Sequence, residues 1–366
     1  MNNLPRLEPT PPAREALRTV VALANKEFRR FTEASLLVRS PGSYLIAYTA
    51  FGASPRDDSD AVIMGIESHN GGISWEEPFL ITSKEGGVNI MAPSLLKLSD
   101  GRVAMVYLAK QSMQHAQIVW MESSDDGKSW SAPRIIYDQQ RYTICLNNVL
   151  IELTGGRLLF PVFERLPGQA EWSDDECLRA FCLYSDDGGA SWQRSQGWIE
   201  CPGHGAMEPV AFERAPGRLR LYLRTDQGTQ WEAESEDNGT TWSKAVPGRF
   251  ESPESPCMVY RMPGRDEVIF VHNSKWQPEL PAGGPRIPLT LAISRDRGET
   301  WHDDYLCLER EQNATYSYPS ITCDGQYLLL TYYHTIFRVS LCDRPDLMVS
   351  LCFQRIPLET LEIPVS

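Results

Sequence analysis

The chain has no apolar run of about 18 residues, the length needed to cross a bilayer, so no membrane-spanning segment is expected. It also has no basic stripe. The formal charge is −13, and nucleic-acid binders usually concentrate Lys and Arg on one face. A soluble, monomeric chain without a nucleic-acid or membrane partner is expected. The first residues, Met1, Asn2, Asn3, Leu4 and Pro5, do not follow the basic-then-apolar plan of a secretory leader. The nine cysteines are odd in number and none stands in a CxxC pair. Buried thiols and a cytoplasmic location are therefore expected. His115 and His272 show no metal-ligand spacing, and no Gly-rich phosphate loop lies between a strand and a helix. No metal or cofactor is expected. No linker divides the chain. Residues 1–27 read as a lead-in, with a short helix or irregular structure over 11–29, and residues 28–366 as one domain.

What is present is repetition. The pattern Ser-x-Asp-x-Gly-x-(Ser/Thr)-Trp occurs at Ser123 to Trp130, Ser185 to Trp192, Ser235 to Trp242 and Ser294 to Trp301. A fifth copy, Ser68 to Trp75, has Asn70 in place of Asp. The tryptophans are 55, 62, 50 and 59 residues apart. Asp and Asn bond to nearby backbone N–H groups and Gly supplies a positive φ, so each copy is a turn that the Trp fixes from beneath. The motif is a fold staple with no catalytic part.

A second repeat runs out of phase with the first. Gly42, Gly101, Gly156, Gly217, Gly264 and Gly325 each precede an apolar strand, and another short strand lies upstream of each. One unit is strand, Gly turn, strand, strand, boxed turn, strand. Four strands in roughly 50–60 residues make a propeller blade. Six Gly turns predict an all-β, six-bladed β-propeller with four-stranded antiparallel blades. Its last blade, from about Asn313, borrows a strand from the N-terminal region. A stacked solenoid is the rival fold, but its repeats are usually shorter.

In a propeller the first strand of each blade lines the axis. Aligning the blades on the Gly turns brings Glu33, Met91, Asn148, Glu208, Ser255 and Tyr316 or Tyr318 to one mouth. A Glu and a Tyr converging there are what a catalytic site needs.

The boxed turns over a six-bladed pattern resemble the sialidase (neuraminidase) superfamily of BNR, or Asp-box, repeat proteins. Residues 147–161, 223–228 and 316–321 carry the closest likeness. The resemblance implies an exo-acting retaining glycosidase for a terminal sialic acid or related acidic sugar, with a glycan substrate. It implies a Tyr nucleophile, because a carboxylate would be repelled by the carboxylate on the substrate's anomeric carbon. Tyr316 matches the nucleophile, with Tyr318 as the second choice, and Glu208 matches its base. Arg224 and Arg286 match two of the family's three carboxylate-binding arginines. Arg30 stands about two residues early for the first, with Glu33 in its neighbourhood. The family's acid falls in the cluster Asp57, Asp58 and Asp60, led by Asp57 and Asp58. His204 lies near the same mouth, where a structural hydrogen bond is its plainer role. Together the arginines would make the mouth locally positive. A glycosidase or lyase acting on another sugar, or a carbohydrate-binding propeller without turnover, are the alternatives.

Overall fold

The computed structural model describes residues 16–166, 177–311, 313–336 and 348–363. Six antiparallel sheets follow one another along the chain and form the six-bladed propeller. Strand β1 (Leu17–Ala22) comes first. Blade 1 is β2 (Arg30–Ser40), β3 (Ser43–Phe51), β4 (Ala61–Ser68) and β5 (Phe79–Thr82). Blade 2 is β6 (Asn89–Lys97), β7 (Val103–Ser112), β8 (His115–Ser123) and β9 (Arg134–Tyr137). Blade 3 has a divided inner strand, β10 (Thr143–Ile144) and β11 (Ile151–Glu152), both paired with β12 (Leu158–Arg165). Its outer strands are β13 (Leu178–Ser185) and β14 (Gln193–Arg194). Blade 4 is β15 (Met207–Ala215), β16 (Arg218–Arg224), β17 (Thr229–Ser235) and β18 (Val246–Glu251). Blade 5 is β19 (Met258–Arg261), β20 (Val268–Asn273), β21 (Leu289–Ser294) and β22 (His302–Glu309). Blade 6 is β23 (Ala314–Cys323), β24 (Tyr327–Ile336) and β25 (Ser350–Pro357), completed on its outer edge by β1.

The ring therefore closes with a strand from the N-terminal region, as the count of Gly turns predicts. The reading of 11–29 as a helix or irregular lead-in is corrected over β1. Leu17 pairs with Arg355 and Val20 with Cys352, and that edge pairing outweighs the weak helical preference of the segment. Residues 1–15 of the expected lead-in lie outside the described residues.

Each boxed turn joins the third and fourth strands of its blade, as Trp130 does between β8 and β9. Ser123 Oγ accepts from Gly127 N at 2.8 Å, and Asp125 Oδ1 accepts from Ser129 N at 2.9 Å. The same bonds recur around Asp187, Asp237 and Asp296. Asn70 reproduces the bond to Ser74 N at 3.0 Å. The turns also staple blade to blade. A Cβ on Gly127 would meet Leu45 of blade 1, on Gly189 Trp120 of blade 2, on Gly239 Leu159 of blade 3 and on Gly298 Phe212 of blade 4, all within 2.8 Å. Gly72 meets Phe353 of blade 6 in the same way. Arginines of the preceding blade cap these turns: Arg39 donates to Asp126 O, Arg102 to Gly188 O, Arg220 to Gly298 O and Arg355 to Gly71 O. Close-packed aromatic groups fill the space between sheets, such as Phe250 stacked on Phe270 at 4.0 Å with Trp301 edge-on.

Candidate functional site

The inner strands share a local distortion. Pairing shifts register between Thr32 and Ser35, Met91 and Ser94, Met207 and Val210, and Ser317 and Ser320. The residue at each bulge takes a positive φ: Glu33 at 51°, Ala92 at 56°, Glu208 at 43° and Tyr318 at 53°. Asn148 does so at 58°, in the break between β10 and β11. A bulge re-aims its side chain, and left-handed backbone at a non-glycine residue costs roughly 1–3 kcal/mol, which the surrounding ladder must hold in place. These bulges turn side chains of several blades towards the axis. Asn147 Nδ2 donates to Ala34 O of blade 1 at 2.7 Å and to Pro319 O of blade 6 at 3.5 Å. Asn148 Oδ1 accepts from Ser35 Oγ at 2.8 Å.

At the centre of this array Tyr318 Oη donates to Glu208 Oε1 across 3.0 Å. Glu208 Oε2 accepts from Arg224 Nη1 at 2.9 Å, and Arg224 Nη2 lies 3.5 Å from Glu254 Oε1. Burial pushes the Tyr318 phenol well above its ordinary pKa and the Glu208 carboxylate adds to this, while Arg286 and Arg224 pull the other way. The phenol is therefore neutral at rest, with an acceptor already in contact.

The expected hydrogen bond between Tyr316 and Glu208 is absent, and this corrects the sequence alignment. Tyr316 is fully buried and stacks on His334, with ring centroids 5.1 Å apart. Its hydroxyl reaches Glu311 Oε2 at 3.5 Å. In a regular strand residues 316 and 318 would share a face, but the bulge after Ser317 turns Tyr318 into the mouth and leaves Tyr316 in the wall. The sequence held a signal for this. Pro follows the bulge in Ala92-Pro93, Glu208-Pro209 and Tyr318-Pro319, and Ser255-Pro256 has the same form. Aligning on that Pro, rather than on the Gly turn, selects Tyr318, and Ala92 in place of Met91.

The three arginines differ in their company. Arg30, 3% exposed, donates to Glu33 Oε1 at 2.9 Å, Asp57 Oδ1 at 2.5 Å and Pro55 O at 3.1 Å. Arg224 is paired with Glu208. Arg286 is held by neutral oxygens: Ser317 Oγ at 3.3 Å, Tyr333 Oη at 3.2 Å and Glu254 O at 3.3 Å. Its guanidinium carbon lies 5.7 Å from the centre of the Tyr318 ring. Among the described residues no carboxylate forms an ion pair with it. Two of the mouth's arginines are thus offset by carboxylates, Arg30 by Glu33 and Asp57 and Arg224 by Glu208, while Arg286 is left open to an anion.

The acidic cluster divides. Asp57 faces the mouth through Arg30. Burial alone would raise its pKa, but the charge and hydrogen bond of Arg30, with Lys110 and Arg286 beyond, hold it below the usual carboxylate range. Asp58 instead faces solvent, 3.1 Å from Arg56, and Asp60 pairs with Lys84 at 2.8 Å. His204 Nδ1 lies 3.1 Å from Glu254 Oε1 at the rim.

Four contributors escaped the sequence reading. Glu254 and Tyr333 hold Arg224 and Arg286 as described. Asn89 Nδ2 donates to both Asp57 O and Ser59 O at 2.8 Å, which pins the loop carrying Asp57. Lys110 Nζ donates to Asp57 O at 3.3 Å and sits 5.0 Å from the centre of the Tyr142 ring. Lys110 ends an apolar strand, where a lysine normally reads as solvated; here it is fully buried. Only Glu254, next to the aligned Ser255, had a signal in the sequence.

The BNR repeat-like domain family matches residues 44–330. A sialidase of Bacteroides fragilis (strain YCH46) is 26% identical over 323 residues, covering 77% of this chain. The chain spans 56% of that relative's length. Among solved structures, a protein of unknown function from Dyadobacter fermentans aligns with a TM-score of 0.70 at 20% identity, covering 95% of this chain and all of the other. A point mutant of the NanB sialidase from Streptococcus pneumoniae gives 0.71 at 13% identity, covering 93% of this chain and 71% of that one. A mutant Trypanosoma rangeli sialidase displaying trans-sialidase activity gives 0.70 at 16%, covering 96% and 60%. At these identities the structures speak for the fold.

Proposed function

Because the chain belongs to the BNR repeat-like domain family, we propose that it is a retaining glycoside hydrolase of the sialidase type, removing a terminal acidic sugar from a glycan. The observation that carries this reading is the 3.0 Å bond from Tyr318 to Glu208, set between Arg224 and Arg286.

Tyr318 oxygen forms a bond to the anomeric carbon as the glycosidic C–O bond breaks. Glu208 takes the phenolic proton as the bond forms, so the raised pKa of the free phenol is no barrier. A neutral nucleophile suits a substrate whose anomeric carbon bears a carboxylate. Arg286 and Arg224 receive that carboxylate through charge-assisted hydrogen bonds. Asp57 supplies the proton to the leaving oxygen. It is ionised at rest because of Arg30, so the substrate must first draw Arg30 away, after which the Asp57 pKa rises and the carboxylate takes up from solvent the proton it then donates. In the second half, Asp57 takes a proton from water, the water oxygen displaces Tyr318, and Glu208 returns the phenolic proton.

Incubation with fluorogenic α-sialosides and a panel of neutral glycosides tests the reading. Release of fluorophore from the sialosides alone supports it. Turnover of a neutral glycoside alone favours the second reading, a glycosidase for another sugar, which the two carboxylates on Arg30 favour. Binding without turnover of any member identifies a carbohydrate-binding propeller.

A further inference from the structure

One carboxyl at the floor of the mouth has no part in the chemistry just described. Glu33 is 2% exposed and sits at the blade 1 bulge. Its Oε1 accepts from Arg30 Nη2 at 2.9 Å and its Oε2 from Thr49 Oγ1 at 3.2 Å. Arg30 Nη1 is taken by Asp57 Oδ1 and Pro55 O. Both terminal nitrogens of this guanidinium are therefore occupied, from two sides. A ligand carboxylate there competes with two carboxylates already bonded to the same cation, and displacing Glu33 would leave a buried carboxylate unpaired. With both carboxyls ionised, Arg30, Glu33 and Asp57 together carry one net negative charge, which repels an acidic sugar. A proton on Glu33 removes that charge and frees Arg30 Nη2.

We propose that Glu33 is a specificity-setting, positioning residue of this mouth: in its protonated state it releases Arg30 to a ligand carboxylate, and in its ionised state it withholds Arg30, so the site then receives uncharged sugars as readily as acidic ones. This rests on reading the mouth as a sugar site. The charged and titratable groups facing Glu33 are Arg30 on its own strand, Asp57 from the β3–β4 loop, Glu208 from β15, Tyr318 from β23 and the Cys145 thiol after β10. Burial pushes the Glu33 pKa up to about 7, with Asp57 and Glu208 adding to it and Arg30 and Thr49 opposing. The release of Arg30 therefore falls near neutral pH. A sugar acid stays ionised across that range, since a carboxyl beside an electron-withdrawing carbon titrates near or below about 3.5. Affinity for the acid should thus rise as pH falls towards about 7, while affinity for its uncharged analogue stays level.

The experiment is titration calorimetry with the 2,3-unsaturated analogue of N-acetylneuraminic acid and with its C1 carboxamide, at about pH 6 and about pH 8.5. Wild-type protein should bind the acid about thirtyfold more tightly at the lower pH, the gain that linkage to one proton gives between about 1.5 units above a pKa of about 7 and about one unit below it. Near the upper pH it should also take up close to one proton on binding, read from the heats in two buffers of different ionisation enthalpy. Carboxamide affinity should not change. Glu33→Gln should bind the acid at about pH 8.5 as tightly as wild type does at about pH 6, with the pH dependence gone. If wild type prefers the acid equally at both pH values, without proton uptake, Glu33 does not set the specificity and the acidic-sugar reading stands. If neither protein discriminates acid from carboxamide at either pH, both readings are overturned. Should Glu33→Gln not fold, proton uptake by the wild type alone decides.

Discussion

Tyr318 on blade 6 donates to Glu208 on blade 4 across 3.0 Å, and each is the residue at which its inner strand bulges into left-handed backbone. The pair is thus made by two equivalent irregularities in a repeat. Removing the acceptor tests it from one side. Glu208→Gln should lower kcat for a sialoside by about 10²–10⁴-fold, the usual weight of a positioned base. KM should not rise, because Arg224, relieved of its carboxylate partner, keeps its charge for the carboxylate of the substrate. Steady-state kinetics checks this, and a wild-type kcat in the variant would remove Glu208 from the chemistry.

Of the three mouth arginines, Arg286 has no carboxylate partner among the described residues, so it is the one prepared for an incoming anion. Arg286→Lys should weaken binding of a carboxylated sugar by about 10–100-fold, because a point charge cannot reproduce two parallel donors. Affinity for the carboxamide analogue should change much less. Equal losses for both would mean that Arg286 supports the mouth structurally.

Much of the fold was legible in the sequence because the elements that build it are local. A Trp after each Ser-x-Asp-x-Gly turn and a Gly before each apolar strand each report a turn whose bonds lie within a few residues. Ring closure was legible as a deficit, one boxed turn short of six blades. The site was less legible because it depends on bulges. The face that Tyr316 or Tyr318 presents is decided by one extra residue after Ser317, and only the recurrent Pro after the bulge records it. Asp57 and Asp58 are chemically alike in sequence, and it is Arg30, reaching from β2, that singles out Asp57. The burial of Lys110 depends on packing across blades and left no local trace.

The blade-to-blade role of the boxed turns gives a stability test. Gly189 has φ of 91°, and a Cβ there would lie 2.7 Å from the Trp120 ring of the neighbouring blade. Gly189→Ala should destabilise the protein by about 2–5 kcal/mol, combining backbone strain with overpacking. Urea denaturation measures it. A loss below about 0.5 kcal/mol, the range of ordinary surface changes, would mean the turn is not a staple.

The same turns make stability depend on pH. Hydrogen bonds from the Ser191 side chain and backbone, with Ser185, hold the Asp187 carboxyl at about 2, below its unfolded value. Asp125 is lowered for the same reason, led by Ser129. In Asp237 and Asp296 burial opposes, but the bonds from Thr241 and Thr300 prevail. The unfolded chain therefore binds more protons in acid. The stabilisation is complete above about pH 5 and is lost as pH falls towards about 2. In urea unfolding at about pH 5 and about pH 3, Asp187→Asn should lose less stability than wild type, since Asn70 shows that Asn keeps the backbone bond without the charge. Equal losses would contradict this origin.

The most direct test of the account compares the two tyrosines of β23 in one assay. Tyr318→Phe and Tyr316→Phe are each measured for sialoside turnover, beside wild type, at matched folding by thermal melting. Tyr318→Phe should lose on the order of 10³-fold or more in kcat, as removal of a member of a coupled nucleophile–base pair does. Tyr316→Phe should stay within a few-fold of wild type, since its hydroxyl lies in the wall beside Glu311. Turnover retained in Tyr318→Phe, or lost only in Tyr316→Phe, would contradict the assignment of Tyr318 and Glu208 as the working pair.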